Sequence, residues 1–283
     1  MPSWPPNAKP KNKLKMSEEE IILTHILQCR RTDLLVHKPR LSSDQEKQLQ
    51  EYKARRAKGE PLQYILGCWE FYGLEFKVDR RVLVPRPETE VLVDLAVKKF
   101  QGASILDLGT GSGNIAVALA KFLPYTKVTA VDISIDALAL AMDNAQRHGV
   151  EGRVALVNED MTTYLKEIAS RPLVARDDGE FFDMIISNPP YISSGQMSHL
   201  PKDVRQEPAL ALDGGEDGLK FYRDIIKYSP GLLRAGGCLM MEFGDGQAKA
   251  VQALFAAQAA FSDIEIHKDL TGRERVIHGK ICH

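Results

Sequence analysis

The sequence predicts an α/β fold with a mostly parallel sheet, preceded by a small helical domain. Three observations carry this. From residue 103 onward, short apolar runs alternate with amphipathic stretches of helical length, a pattern that implies right-handed crossovers and a sheet covered on both faces. The first of these runs, Ser104-Ile105-Leu106-Asp107-Leu108, passes straight into a glycine turn, Gly109-Thr110-Gly111-Ser112-Gly113. Another, Phe181 to Ser187, stops at Asn188-Pro189-Pro190-Tyr191, because prolines offer no N–H to continue a ladder.

In chain order, residues 1–16 are rich in proline and lysine and hold no acid, which reads as a flexible tail rather than a signal or transit peptide. Residues 17–66 read as a helical domain. Ser17 and Glu20 are spaced as a capping box ahead of the stripe Ile21, Ile22, Leu23, Ile26 and Leu27. Ser42 or Ser43 can cap a second helix, Gln45 to Lys58, ended by Gly59-Glu60-Pro61. Residues 67–86 read as a β-hairpin linker, with Leu74 to Val78 as one strand and Arg81-Val82-Leu83-Val84 as its mate. The remaining domain, 87–283, opens on the amphipathic helix Val91 to Lys99; Pro87 suits its start, and Glu88 and Glu90 suit the positive end of its dipole.

Strands are predicted near 104–108, 127–132, 154–158, 182–187, 238–243, 263–267 and 274–279. Helices fall near 114–122, 134–148, 161–169, 217–234 and 246–258. Gly236-Gly237 reads as a tight turn into the strand that follows. The segment 192–216, with Arg205, Glu207, Pro208 and Asp213-Gly214-Gly215, is long enough to be a lid or binding loop.

Composition narrows the function. The 283 residues are 44% hydrophobic and 27% charged, ordinary values for a globular protein. A net charge of −1 gives no basic footprint for nucleic acid. Cys29, Cys68, Cys238 and Cys282 form no C-x-x-C pair, which argues against a zinc site or a disulfide scaffold and for a reducing, cytosol-like compartment. No apolar run approaches a membrane span. The seven histidines have no metal-ligand spacing and read as surface or packing residues.

Ligands of open α/β sheets bind outside the carboxyl ends of the strands. Asn188 stands at such an end. Its amide, the carbonyl-rich turn and the Tyr191 ring can hold a planar NH2 group, although Asn-Pro-Pro also serves as a plain strand terminator. The glycines allow positive φ and close approach of a ligand. A dinucleotide fingerprint needs glycine at position 114, where Asn114 stands, so a pyrophosphate cradle is disfavoured. The run Lys127 to Asp132 ends in an acid at the spacing that takes a ribose. Glycine turn, acid and Asn-Pro-Pro-Tyr in this order resemble a class I, Rossmann-like S-adenosylmethionine methyltransferase acting on an amide or amino nitrogen.

The chain resembles one family in particular, the HemK/PrmC glutamine N5-methyltransferases of peptide-chain release factors. The matching pieces are Val84-Pro85-Arg86-Pro87-Glu88-Thr89-Glu90, Asp107 to Gly113, Ala130-Val131-Asp132, Asn188 to Ile192, Asp203-Val204-Arg205-Gln206-Glu207-Pro208 and Asp213-Gly214-Gly215. Asn-Pro-Pro-Tyr is shared with adenine-N6 DNA methyltransferases; the Pro-Arg-Pro-Glu-Thr-Glu segment is what points to this family. The resemblance implies a helical domain that helps hold the release factor, a β-hairpin linker and a seven-stranded methyltransferase domain. It implies cofactor contacts from Gly109, Thr110, Gly111, Ser112, Gly113 and Asp132, with Met161 over the adenine where many relatives have an aromatic residue, and with Asn188 alongside. Asn188, Pro189, Pro190 and Tyr191 would hold the glutamine of a Gly-Gly-Gln loop, with Asn188, Pro189 and Tyr191 serving catalysis. A monomer in the cytoplasm or an organelle matrix, binding neither nucleic acid nor membrane nor metal, completes the expectation. Asp107 is expected to brace the turn. Arg86 is expected either to bind a carboxylate or to pair with Glu88, Glu90 or Glu242. Arg205 and Glu207 are expected to order their loop. The rivals are an adenine-N6 nucleic-acid methyltransferase and a noncatalytic module that binds S-adenosylmethionine and a translation factor.

Overall fold

The computed structural model describes residues 16–37, 40–99, 102–170 and 181–282. The proline- and lysine-rich start, up to residue 15, lies outside them. The chain divides into two compact units, Met1–Leu66 and Gly67–His283.

The first unit holds α1 (Glu18–Leu27), α2 (Arg31–His37), α3 (Ser43–Ala57) and α4 (Leu62–Leu66). Both predicted caps form: Ser17 and Glu20 exchange hydrogen bonds at α1, and Ser42, rather than Ser43, does so with Gln45 at α3. Ile22, Ile26, Leu49 and Leu62 make the small core. Replacing Ser42 by Ala removes the acceptor for the Gln45 amide; it should cost about 1 kcal/mol in denaturant titration and raise hydrogen exchange in the first turn of α3.

The second unit opens on a hairpin of β1 (Cys68–Phe71) and β2 (Leu74–Lys77), paired antiparallel. The predicted strand at 74–78 is present, but its mate precedes it. Tyr72 and Gly73 both have positive φ, 50° and 74°, and so form a two-residue turn whose twist suits a hairpin. Residues 81–84 form no strand, since Pro85 and Pro87 follow them, yet Val82 and Val84 are buried.

Next come α5 (Pro87–Lys99), β3 (Ser104–Leu108), α6 (Asn114–Phe122), β4 (Lys127–Asp132), α7 (Ile135–Arg147) and β5 (Val154–Asn158). Then follow α8 (Met161–Ser170), β6 (Phe182–Ser187), α9 (Lys220–Tyr228), β7 (Leu233–Glu242), α10 (Ala248–Ala257), β8 (Phe261–Lys268) and β9 (Glu274–Ile281). The main sheet has seven strands in the order β5-β4-β3-β6-β7-β9-β8. The first five are parallel; β9 runs antiparallel to both β7 and β8. Helices α5, α6 and α7 pack together, as do α8, α9 and α10, with the core between them and the sheet. α5 begins four residues earlier than its apolar stripe suggests, because Pro87 supplies a helical φ and no N–H is needed there.

Gly236-Gly237 does not precede β7 but lies inside it. Pairing with β6 jumps from Phe182↔Leu233 to Met184↔Cys238, so the glycines form a bulge that lets the strand resume. The predicted helix 217–234 is shorter, because Pro230 and Gly231 convert its end to a 3-10 turn.

Candidate active site

The chain moves from β3 to β4 and β5 on one side, and to β6 and β7 on the other. The order of strand addition therefore reverses between β3 and β6, and the carboxyl ends of β3, β4 and β6 flank the resulting crevice. Ser187, the last residue of β6, donates from its hydroxyl to the Leu108 carbonyl at 2.7 Å and ties two of these ends together.

On the β3 side, Gly109, Gly111 and Gly113 have φ of 74°, 55° and 76°. A Cβ on Gly113 would lie 3.0 Å from the Ala141 Cβ, so this glycine also lets α7 approach the turn. A Cβ on Gly109 would lie 3.0 Å from the Met161 Cε, which places the Met161 side chain beside the turn. Over Gly111 there is open space. The Gly111 amide donates to the Asp132 carboxylate at 2.8 Å, and the Ser134 amide donates to its other oxygen at 2.9 Å. Burial raises the Asp132 pKa, against these two hydrogen bonds. The Thr110 hydroxyl donates to Asp107 at 2.7 Å, so Asp107 braces the turn from below; burial pushes its carboxyl up to about 7. Thr110 and Ser112 are themselves buried, so the backbone of the turn, more than its side chains, faces the crevice. Asn144 donates to the Ser112 carbonyl and exchanges hydrogen bonds with both backbone groups of Lys77, fixing the turn to the hairpin. These residues suit a ribose-bearing ligand: open backbone at Gly111, a carboxylate at the next strand end and a thioether alongside.

On the β6 side, Asn188, Pro189 and Tyr191 line a cleft of about 350 Å³, together with Arg86, Glu88 and Glu242. Pro190 does not line it; it is buried, with its carbonyl against Gly214, where a Cβ would come within 2.7 Å. The amide nitrogen of Asn188 donates to the Thr89 hydroxyl at 3.1 Å. Its carbonyl oxygen is buried and has no hydrogen-bond partner among the described residues. A buried acceptor without a donor costs about 1–3 kcal/mol, so the position calls for an incoming N–H. Burial raises the Tyr191 hydroxyl pKa, and Gln247 holds the Tyr191 backbone carbonyl at 3.0 Å. Glu242 is buried at the end of β7; burial pushes its carboxyl up to about 7, against the Thr89 hydroxyl and the Arg275 charge.

The Pro-Arg-Pro-Glu-Thr-Glu segment frames this cleft residue by residue. Arg86 pairs with Glu207 at 2.6 Å, not with Glu88, Glu90 or Glu242. The second Glu207 oxygen takes the Val84 amide at 3.0 Å. Glu207 thus orders the loop 192–216 by fastening it to the strap before α5. Asp213 closes the same loop, because Ile192 bridges it in parallel and Gly214 donates to the Ile192 carbonyl at 2.8 Å. Pro87 starts α5, Glu88 faces the cleft, Thr89 holds Asn188, and Glu90 accepts the Tyr72 amide at the hairpin tip.

The structure thus brings Gly109 to Gly113, Asp132 and Met161 to one side of the β6 end, and Asn188, Pro189 and Tyr191 to the other. Asn144 and Gln247 are polar members of this region that no motif contains; Thr89 lies inside Pro-Arg-Pro-Glu-Thr-Glu with no role assigned to it from sequence, and Glu242 is named there only as a candidate partner of Arg86. For Glu242 a signal existed: an acid that closes the apolar run Cys238 to Met241. Away from the site, Glu265, His267 and His278 come close enough to share an ion. They already satisfy one another: the imidazoles hydrogen-bond at 3.0 Å and Lys99 holds Glu265 at 2.8 Å.

The PrmC N-terminal domain family matches residues 15–67, and the Methyltransferase small domain family matches 87–206. A release factor glutamine methyltransferase of Geobacter sulfurreducens is 46% identical over 230 residues, covering 81% of this chain and 76% of that protein. Another, from Thermodesulfovibrio yellowstonii, is 38% identical over 266 residues, covering 92% and 90%. A crystal structure of a methyltransferase from Pyrococcus furiosus shares the fold, with a TM-score of 0.54 at 19% identity, over 86% of this chain and 100% of that one. On identity of this extent over most of both chains, this protein belongs to the release factor glutamine methyltransferase family.

Proposed function

We propose that this protein transfers a methyl group from S-adenosylmethionine to the side-chain amide nitrogen, N5, of the glutamine in the Gly-Gly-Gln loop of a peptide-chain release factor. The observation that carries the reading is the buried, unpartnered carbonyl of Asn188 in the cleft at the end of β6. Family membership favours this reading over an adenine-N6 nucleic-acid methyltransferase and over a noncatalytic module.

S-adenosylmethionine, when bound, supplies a methyl group on a sulfonium, a very good leaving group. Gly109 to Gly113, Asp132 and Met161 would hold it, with Asn188 between it and the glutamine. An amide nitrogen is a poor nucleophile because its lone pair is delocalised into the carbonyl. Asn188 Oδ1 and the Pro189 backbone carbonyl accept the two amide protons and fix the plane of the NH2 group. That directs the lone pair toward the donor side of the cleft, and orientation of this kind contributes up to ~7–11 kcal/mol to a barrier. Tyr191 walls the glutamine side chain, and its ring favours a nearby cation. No strong base is required before attack: the N–CH3 bond would form as the S–CH3 bond breaks, the sulfur would leave as the neutral thioether of S-adenosylhomocysteine, and the nitrogen, acidic only once methylated, would give its extra proton to water.

The helical unit, which matches the PrmC N-terminal domain, is assigned to holding the release factor. The enzyme works as a monomer on a protein partner, without direct contact to nucleic acid, in keeping with its net charge of −1. The reading places it where its substrate works, in the cytoplasm or an organelle matrix; no helix among the described residues is long and apolar enough to cross a membrane. The test is mass spectrometry of a release factor incubated with the protein and S-adenosylmethionine. A gain of one CH2 confined to the glutamine of the Gly-Gly-Gln peptide is expected. An unmodified factor, alongside methylated adenine in a nucleic-acid control, overturns the reading.

A further inference from the structure

The antiparallel pair β8 and β9 gathers three metal-ligating side chains on one face. Residues two apart on a strand point the same way, and a residue on the neighbouring strand stands beside its register partner. Glu265 and His267 are two apart on β8, and the register sets His278 of β9 directly opposite Glu265. Ile264, Ile266 and Ile277 pack into the core with α10, so the alternation leaves Glu265, His267 and His278 to the other face. Lys99, the last residue of α5, reaches Glu265 there. The strand register makes this cluster; the separation of the two histidines along the chain, eleven residues, conceals it.

The distances suit one ion. His267 Nε2 stands 3.0 Å from His278 Nδ1 and 3.4 Å from Glu265 Oε2, and His278 Nε2 stands 3.9 Å from the same oxygen. One ligand atom from each residue lies within 4.8 Å of the others. Zinc bonds of about 2.0–2.2 Å to nitrogen and oxygen put neighbouring ligand atoms of a tetrahedron about 3.3–3.6 Å apart. The separations bracket that value, so small side-chain rotations close the three groups on a common centre. His278 is buried on a strand paired on both sides, which holds one ligand in place. Glu265 is exposed on the outermost strand, so a fourth position on its side is open to water.

The contacts that these groups make with one another and with Lys99 leave capacity unused. The two imidazoles share one proton at their 3.0 Å contact, and 3.9 Å from His278 Nε2 to Glu265 is beyond a hydrogen bond. Lys99 pairs with Glu265 between two exposed side chains, where an ion pair contributes little. Two imidazole nitrogens with one carboxylate suit Zn2+ and neighbouring divalent transition ions, whereas Ca2+ and Mg2+ take oxygen ligands.

We infer that Glu265, His267 and His278 form a binding site for a divalent transition ion of the Zn2+ class, which cross-links the edge strand β8 to β9 and displaces Lys99 from Glu265. The inference does not depend on the methyl-transfer reading, because β7 and β9 stand between β8 and the end of β6.

The test uses the full chain, freed of metal with a chelator, and a zinc salt alone as the probe. Zn2+ is titrated against a chromophoric chelator near neutral pH with the wild type, His267→Ala, Glu265→Gln, Lys99→Met and Cys282→Ser. The wild type should bind one equivalent. His267→Ala should lose about 100-fold or more in affinity, since even a residue that only orients a ligand costs about 10- to 100-fold when removed. Glu265→Gln should weaken binding by about tenfold or more, because a neutral amide replaces the carboxylate. Lys99→Met should bind a few-fold more tightly, since no ammonium competes for Glu265. Cys282→Ser should match the wild type, which separates this site from the exposed thiol. With Zn2+ at about 100 times its dissociation constant, the melting temperature of the wild type should rise and that of His267→Ala should not. No stoichiometric uptake by the wild type overturns the site, and so does an affinity unchanged in His267→Ala. Binding that disappears in Cys282→Ser also overturns it, as an adventitious ion on the thiol only. If His267→Ala fails to fold, Glu265→Gln, at an exposed position, decides by the same criterion.

Discussion

Asn188→Ala should lower the single-turnover rate of methyl transfer by about 100- to 1,000-fold, the usual effect of removing one preorganised polar group from a reacting centre. The dissociation constant for S-adenosylmethionine should stay within a few-fold. The reason lies in the amide. Its nitrogen attacks only when the lone pair leaves conjugation and points at the methyl carbon. In the proposed reaction Asn188 Oδ1, buried and without a donor among the described residues, takes one amide proton, and the Pro189 carbonyl takes the other. Alanine leaves the cleft open and the glutamine free to rotate. The loss falls on the bound complex, so it should appear in the rate at saturating substrate. Among the described residues the only side-chain hydrogen bond removed is the one to Thr89 at 3.1 Å, so stability should change little. A large rise in the donor dissociation constant with an unchanged rate would assign Asn188 to holding the cofactor instead.

Much of this site was legible because its backbone demands are severe. Three glycines at positive φ between a buried strand and a helix leave few alternatives to a ligand-binding turn, and two prolines after an apolar run end a strand at a definable point. The helical caps were equally plain, since each is a local exchange between residues three apart. What escaped was the pairing of distant residues. Arg86 finds Glu207, 121 residues away, and nothing in local spacing chooses it over Glu88 or Glu90. Asn144 lies on α7, where it reads as an ordinary polar position, but it bonds the hairpin and the glycine turn at once. Val82 and Val84 are apolar enough to suggest a strand mate that the hairpin does not use, while the turn that decides the register, Tyr72-Gly73, includes a non-glycine residue at positive φ. Gly236-Gly237 misled for a related reason: two glycines mark a bend, and a bulge within a strand satisfies that as well as a turn before one.

Asp132→Ala should show the opposite separation from Asn188→Ala: weaker donor binding, with nearly unchanged chemistry once the donor is bound. Asp132 closes β4, and each of its carboxylate oxygens accepts one backbone amide, from Gly111 and from Ser134. The lone pairs that remain are the acceptors assigned to the ribose hydroxyls. Hydrogen bonds to a charged group contribute about 1.5–3 kcal/mol each, and leaving the Gly111 amide without an acceptor loosens the turn that cradles the ligand. A combined loss of about 3 kcal/mol corresponds to roughly a 100-fold rise in the dissociation constant. Asp132→Asn keeps one acceptor oxygen and the side-chain shape, and should fall between alanine and the wild type. Calorimetry gives the affinity and single-turnover rates at saturating donor give the chemistry. Asn188, proposed to hold the reacting nitrogen, lies at the end of β6, separated from Asp132 by β3, so the saturated rate should stay within a few-fold of wild type. A collapsed rate with unchanged affinity would mean that Asp132 acts on the reacting atoms, and the division of labour between the two strand ends would have to be redrawn.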